Sequence, residues 1–189
     1  MQIFVFVLFV IKLFTNQKQN YCLLKIKYKL GFVHGAIMPN APVFNLTKTD
    51  DSETPTDLLL MAQNYFDFEP TLDVCATKFN KKCNLFIKTQ ALNMNWRLPF
   101  FMNPIYSKAK DWIYYAYEQH RKFNVSGLAL LFSKTDTRAW HDCILGWDEN
   151  GKPKAEILWI KGRVHFWKNG KRSVNPAPYP SAFVFWRAK

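Results

Sequence analysis

Acidic residues are the scarce component of this chain: 14 Asp and Glu stand against 26 Lys and Arg, a formal charge of +12. That imbalance argues against a basic partner and points to a polyanion, either nucleic acid or an acidic membrane face. Glycine is thin as well, seven in 189 residues, and no G-x-G-x-x-G phosphate loop occurs. The four cysteines (Cys22, Cys75, Cys83, Cys143) show no C-x-x-C spacing. This excludes a zinc ribbon and a secreted disulfide framework, and it fits reduced thiols in an intracellular, cytoplasmic setting. A composite metal site of Cys75, Cys83, His141 and Cys143 is outweighed by buried thiols. The longest opening apolar stretch, Met1 to Phe14, is broken only by Gln2 and Lys12. It is shorter than the roughly 20 residues a bilayer span needs, and it lacks the basic start and cleavage site of a secretory signal.

Aromatic residues, by contrast, are abundant, 17% of the chain with seventeen Phe and seven Trp, enough for a substantial core in one domain. Residues 1–37 hold five Lys and no acid, unlike the remainder of the chain, and read as an extension. The working domain is expected over 38–189, opening at Met38. Its charge is 21 minus 14, or +7, so it stays basic without the extension.

The stretch from Phe100 to Ser107 organises the rest. Phe100-Phe101-Met102 predicts a buried strand, Asn103-Pro104 a tight turn, and Tyr106 an aromatic ring just beyond it. Ser107 is the expected N-cap of a helix carrying Trp112, Ile113, Ala116 and Tyr117. A strand that ends in a polar turn before a helix is where open α/β sheets bind ligands.

Upstream, Asn45 to Glu53 is polar and turn-like. Thr54-Pro55-Thr56-Asp57 predicts a helix start with Thr54 as cap and Pro55 at the first position. The apolar stripe then runs through Leu58, Met61, Ala62 and Tyr65. Pro70 to Ala76 is a short strand whose Asp73 suits either a ribose hydroxyl or amino group, or a structural cap. Asn84 to Ile87 is a second strand, followed by an irregular link from Ala91 to Trp96.

Gly127 to Phe132 is a continuous apolar run that predicts a central parallel strand. Lys134 to Thr137 caps a helix through Trp140, Ile144 and Trp147, with His141 expected in the core. Glu156 to Ile160 and Arg163 to Trp167 predict strands separated by a turn at Gly162, and Ser181 to Trp186 closes the sheet. The order predicts a three-layer α/β sandwich, a mostly parallel sheet with an antiparallel C-terminal tail and helices on both faces.

Seven segments in order resemble the phage-type DNA adenine-N-6 methyltransferase family. They are Thr54-Pro55, Leu72-Asp73-Val74-Cys75-Ala76, Asn80-Lys81-Lys82-Cys83, Asn103-Pro104-Ile105-Tyr106-Ser107, Thr135-Asp136-Thr137, Gly162-Arg163-Val164-His165-Phe166 and Pro180-Ser181-Ala182. The resemblance implies a Rossmann-like methyltransferase sheet, S-adenosylmethionine as donor and adenine in double-stranded DNA as acceptor, with no stable membrane association. It implies that Asn103 and Pro104 accept the hydrogens of the adenine amine and that Tyr106 stacks on the extruded base. Thr54, Pro55, Asp73 and Cys75 are the donor-side candidates. Lys134, Arg138, Lys168, Lys171 and Arg172 are candidates for DNA phosphates.

The family turn carries a second proline where this chain has Ile105, and Thr89-Gln90-Ala91-Leu92 lacks the acid that precedes this Leu in the family. A nucleic-acid-binding homologue without activity, and a methyltransferase for RNA or for protein glutamine, remain alternatives.

Overall fold

The computed structural model describes residues 52–168 and 170–189. Expectations for the extension, the start at Met38 and most of Asn45–Glu53 lie outside these residues. The architecture is mixed α/β around a six-stranded sheet. In chain order the elements are α1 (Thr56–Phe66), β1 (Leu72–Asp73), β2 (Leu85–Phe86), β3 (Phe100–Met102), α2 (Ala109–Phe123) and β4 (Gly127–Phe132). They continue with α3 (Arg138–Cys143), β5 (Glu156–Trp159), β6 (Trp167–Lys168), β7 (Lys171–Arg172) and β8 (Ser181–Trp186). The sheet runs β2-β1-β3-β4-β8-β5, and β6 and β7 form a separate hairpin.

Strands β1 to β4 pair in parallel, whereas β8 is antiparallel to both β4 and β5. The expected tail is therefore present, but β8 is inserted between β4 and β5 and does not lie at the edge. Both faces of the sheet are covered, which is why β3, β4 and, after Ser181, β8 are continuously apolar without alternation. Side chains still divide by the period of two. Phe100, Met102, Ala129, Leu131, Val184 and Trp186 join Trp112, Ile113 and Trp140 from α2 and α3. Phe101, Leu128, Leu130, Phe132, Phe183 and Phe185 join Leu59, Ala62 and Phe66 from α1 on the other face.

Several local expectations shift. The buried face of α1 is Leu59, Ala62 and Phe66, while Met61 and Tyr65 are 43% and 63% exposed. The run Leu58-Leu59-Leu60-Met61 is apolar on all sides, so periodicity alone could not choose the face. Pro55, not Thr54, occupies the N-cap position, and the first helical bond runs from the Leu59 N–H to the Pro55 carbonyl. Ser107 does not cap α2: it lies inside a 3-10 turn, Tyr106–Lys108, in which the Lys108 N–H reaches the Ile105 carbonyl at 2.9 Å. That turn absorbs N–H groups a cap would otherwise satisfy.

Helix α3 stops at Cys143, and Trp147 lies beyond it, 67% exposed. Its core position belongs to Trp140, stacked on Trp159, whereas His141 is exposed on the opposite side, a correction to the expected core histidine. Residues 163–166 are not a strand. Val164 and Phe166 are buried as the alternation required, but their carbonyls accept from Ala177 and Ser173, and pairing begins only at β6. No helix among the described residues is long and apolar enough to cross a membrane.

Candidate active site at the β1–β3 switch point

From β1 the chain passes to β2 on one side and then returns to β3 on the other. This reversal opens a crevice beyond the carboxyl ends of β1 and β3, the position where doubly wound sheets place ligands. Register puts Asp73 opposite Phe101, so Asn103 and Cys75, each two residues further on, leave the sheet side by side. Asp73, Cys75 and Asn103 line one narrow cleft with Thr54, Ser52 and Ile105.

Asp73 is nearly fully buried. One carboxylate oxygen accepts the Cys75 N–H at 3.1 Å and the other accepts the Lys82 N–H at 2.9 Å. Burial pushes its pKa from 3.8 up to about 6, a rise that the Lys82 and Cys75 N–H groups only partly counter. Of the two roles left open by the sequence, the structural one is therefore filled, and each oxygen retains a lone pair for a ligand. Cys75 is held as a neutral thiol, its pKa raised well above the ordinary value by burial and by Asp73. Cys75, Cys83 and Cys143 are free, and among the described residues no group of three or more His, Cys, Asp or Glu is placed to hold a metal.

Thr54 is 2% exposed, and its Oγ1 has no hydrogen-bond partner among the described residues. A buried hydroxyl without a partner is costly, by about 1–3 kcal/mol, and this one lines the same cleft as Asp73. Pro55, also buried, starts α1 beside it.

The Asn103 carboxamide is engaged at both ends. Its Oδ1 accepts the Tyr106 hydroxyl at 2.9 Å and its Nδ2 donates to the Ser52 carbonyl at 3.1 Å. Burial raises the Tyr106 pKa well above the ordinary phenol value, so the hydroxyl stays protonated and able to donate; the Leu130 carbonyl lies 3.4 Å from the same hydroxyl. The Tyr106 ring lies flat on Phe132, centroids 3.6 Å apart at 8°, with Phe166 tilted nearby at 5.8 Å. One face of Tyr106 is therefore already covered. Pro104 is buried in the turn between them.

The basic candidates fall into two groups. Lys168, Lys171 and Arg172 are exposed on the β6–β7 hairpin. The hairpin is tied to the cleft by two backbone bonds between Glu53 and Trp167, at 2.7 and 3.0 Å. Lys134 and Arg138 follow β4 instead. They line a cavity of about 560 Å³ that begins at Tyr106 and runs between α2 and α3, and the Lys134 ammonium sits 4.4 Å from the Tyr179 ring centroid. Phe132 and the Ser52 carbonyl escaped the sequence reading. Phe132 looked like any core strand residue, and a backbone carbonyl carries no residue-type signal.

The topology is that of a mixed α/β protein with a mostly parallel sheet, and the polar groups gathered at the reversal make it a candidate ligand site. Residues 44–189 match the family model for DNA N-6-adenine-methyltransferase (Dam), and the chain belongs to that family, whose general activity is adenine methylation in DNA. No curated protein matches the chain, and no solved structure does.

Proposed function

We propose that this chain transfers a methyl group from S-adenosylmethionine to the exocyclic amine of adenine in DNA. The observation that carries the reading is the convergence of Asn103 and Asp73 at the switch point, just beyond and at the end of neighbouring strands, with the buried Thr54 hydroxyl, unpartnered among the described residues, in the same cleft. Family membership supplies the reaction class.

Adenine's amine is a weak nucleophile because its lone pair is delocalised into the ring. A group that accepts the amine hydrogens favours a tetrahedral nitrogen with the lone pair localised. Asn103 Oδ1 spends one lone pair on Tyr106 and keeps the other for the amine. The Pro104 carbonyl is the second acceptor. Tyr106 offers the extruded base the ring face that Phe132 does not cover. Holding acceptor, base and methyl source in line supplies much of the rate.

S-adenosylmethionine supplies, when bound, an electrophilic methyl on a sulfonium. Thr54, Pro55, Asp73 and Cys75 would hold it, and the unpartnered Thr54 hydroxyl and the Asp73 carboxylate fit its hydroxyl and ammonium groups. Room is the tighter condition. The cleft has about 30 Å³, whereas ligand pockets run to roughly 300–1,000 Å³. The wall best able to yield is the stretch 77–81, which has no helix or strand, brings Asn80 to the cleft and carries Phe79 at 91% exposure. Lys134, Arg138, Lys168, Lys171 and Arg172 hold DNA phosphates around this centre.

The test is transfer of labelled methyl to unmethylated duplex DNA, followed by digestion to nucleosides. Label is expected in N6-methyladenine, with Asn103→Ala slower by about 10²-fold or more and DNA retention unchanged. DNA binding without transfer by the unaltered chain would leave a non-enzymatic homologue. Label in another nucleoside, or in protein, would move the activity to that substrate.

A further inference from the structure

We infer that Ser52 and Glu53 form a positioning strap that sets which end of the Asn103 carboxamide faces the substrate amine. The inference rests on the role given to Asn103 above. A carboxamide can present either its oxygen or its NH₂, and only the oxygen can accept the amine's hydrogens. Of the two partners, the Ser52 carbonyl chooses between these states, because a carbonyl can only accept. The Tyr106 hydroxyl donates to Oδ1, and the Ser52 carbonyl accepts from Nδ2. With the amide flipped, NH₂ could still donate to the Tyr106 hydroxyl, which has the Leu130 carbonyl at 3.4 Å as an alternative acceptor, but two carbonyl oxygens would face each other across the Ser52 contact.

The Ser52 carbonyl can do this only if the chain that carries it is fixed. Glu53 supplies that fixing: its N–H donates to the Trp167 carbonyl at 2.7 Å and its carbonyl accepts the Trp167 N–H at 3.0 Å. Both backbone groups of Trp167 are directed at Glu53, so they take no part in the β6–β7 ladder, where neighbouring Phe166 accepts from Ser173 instead. The strap is thus a backbone device. Ser52 and Glu53 contribute through main-chain atoms, and the hairpin outside the sheet holds the carboxamide at its centre.

Proline substitution isolates the backbone contribution. Glu53→Pro deletes the N–H to Trp167, and Trp167→Pro deletes the reciprocal donor without touching the hairpin ladder. Glu53→Gln keeps every main-chain group and serves as the conservative control. The full chain is read in two ways. The first is solvent exchange of the Asn103 side-chain amide by ¹⁵N NMR, assigned by its loss in Asn103→Ala. The second is steady-state methyl transfer.

Both proline variants are expected to speed amide exchange and to lower kcat by about tenfold, with KM for DNA within about twofold, while Glu53→Gln leaves both readouts near the parent values. Having two proline variants on opposite strands guards against one failing to fold. If exchange and kcat stay put in both, the strap does not hold Asn103. If Glu53→Gln behaves like Glu53→Pro, the effect belongs to the carboxylate and the inference is wrong. A parent chain whose Asn103 amide is protected as described but which transfers no label overturns the methylation reading and not the strap.

Discussion

Asp73→Asn separates the structural work of Asp73 from its charge. In the folded chain the carboxyl titrates at about 6, against 3.8 for the free group. A raised carboxylate pKa means the native state binds the proton more tightly than the unfolded state. Stability is therefore fullest below 3.8 and is lost as pH rises through about 6. The two-unit gap corresponds to about 3 kcal/mol when fully expressed, of which about 2 kcal/mol falls between pH 7.5 and 4.5. Asparagine has no such titration. It also keeps a single acceptor for the two N–H groups of Cys75 and Lys82, so the variant loses about 1–3 kcal/mol through one unpaired donor at every pH. The measurement is urea unfolding of both proteins at pH 7.5 and 4.5. The difference in stability, parent minus variant, is expected to grow by about 2 kcal/mol at the lower pH. Other titrating groups cancel in that difference. A gap that is the same at both pH values, within about 0.5 kcal/mol, would show that the carboxylate is ionised in the fold without strain and would refute the argument.

Two further perturbations test the frame around the site. Gly127→Ala drives a Cβ into the Phe100 ring, which is itself packed against Trp96, so the variant should lose about 1–3 kcal/mol in urea unfolding, with Phe100→Leu in the same chain restoring part of it. Replacing Lys168, Lys171 and Arg172 together by alanine should reduce the slope of log K for DNA against log salt by up to about 3, since each phosphate contact contributes about 0.9. An unchanged slope would remove the hairpin from the DNA interface.

What the sequence made legible was the middle of the sheet. Gly127 to Phe132 and Ala182 to Trp186 are apolar throughout because both of their faces are buried, and hydrophobic runs bounded by turn residues report that directly. Asn103-Pro104 stood out because a polar, proline-locked turn closes a strand that is otherwise wholly apolar. Choices made by tertiary packing were not legible. Nothing in Leu58-Leu59-Leu60-Met61 says which side meets the sheet, and Trp140 and His141 suit the core equally well until Trp159 stacks on one of them. The hairpin was missed because two-residue strands carry no periodicity, and its pairing with Glu53 joins positions more than a hundred residues apart. The insertion of β8 between β4 and β5 is a matter of pairing partners, which strand patterns do not encode.

Ile105 is the residue at which this chain departs from the family turn, and the geometry there says how much the departure matters. Its φ of −56° is an angle that proline's ring would impose. Its carbonyl accepts the Lys108 N–H at 2.9 Å, closing the 3-10 turn that carries Tyr106, and its side chain is 39% exposed, so little packing depends on it. The turn thus reaches a proline-compatible shape without the ring, held from outside by the bonds from Asn103 to Ser52 and Tyr106. What the ring would add is restriction of the unfolded chain. Ile105→Pro is accordingly expected to raise stability by about 0.4–1 kcal/mol while leaving kcat within about twofold. A drop in stability would show that a second proline does not fit this corner. A large gain in kcat would show that the Asn103–Tyr106 pair is not preorganised by its hydrogen bonds, and that the missing ring limits the reaction.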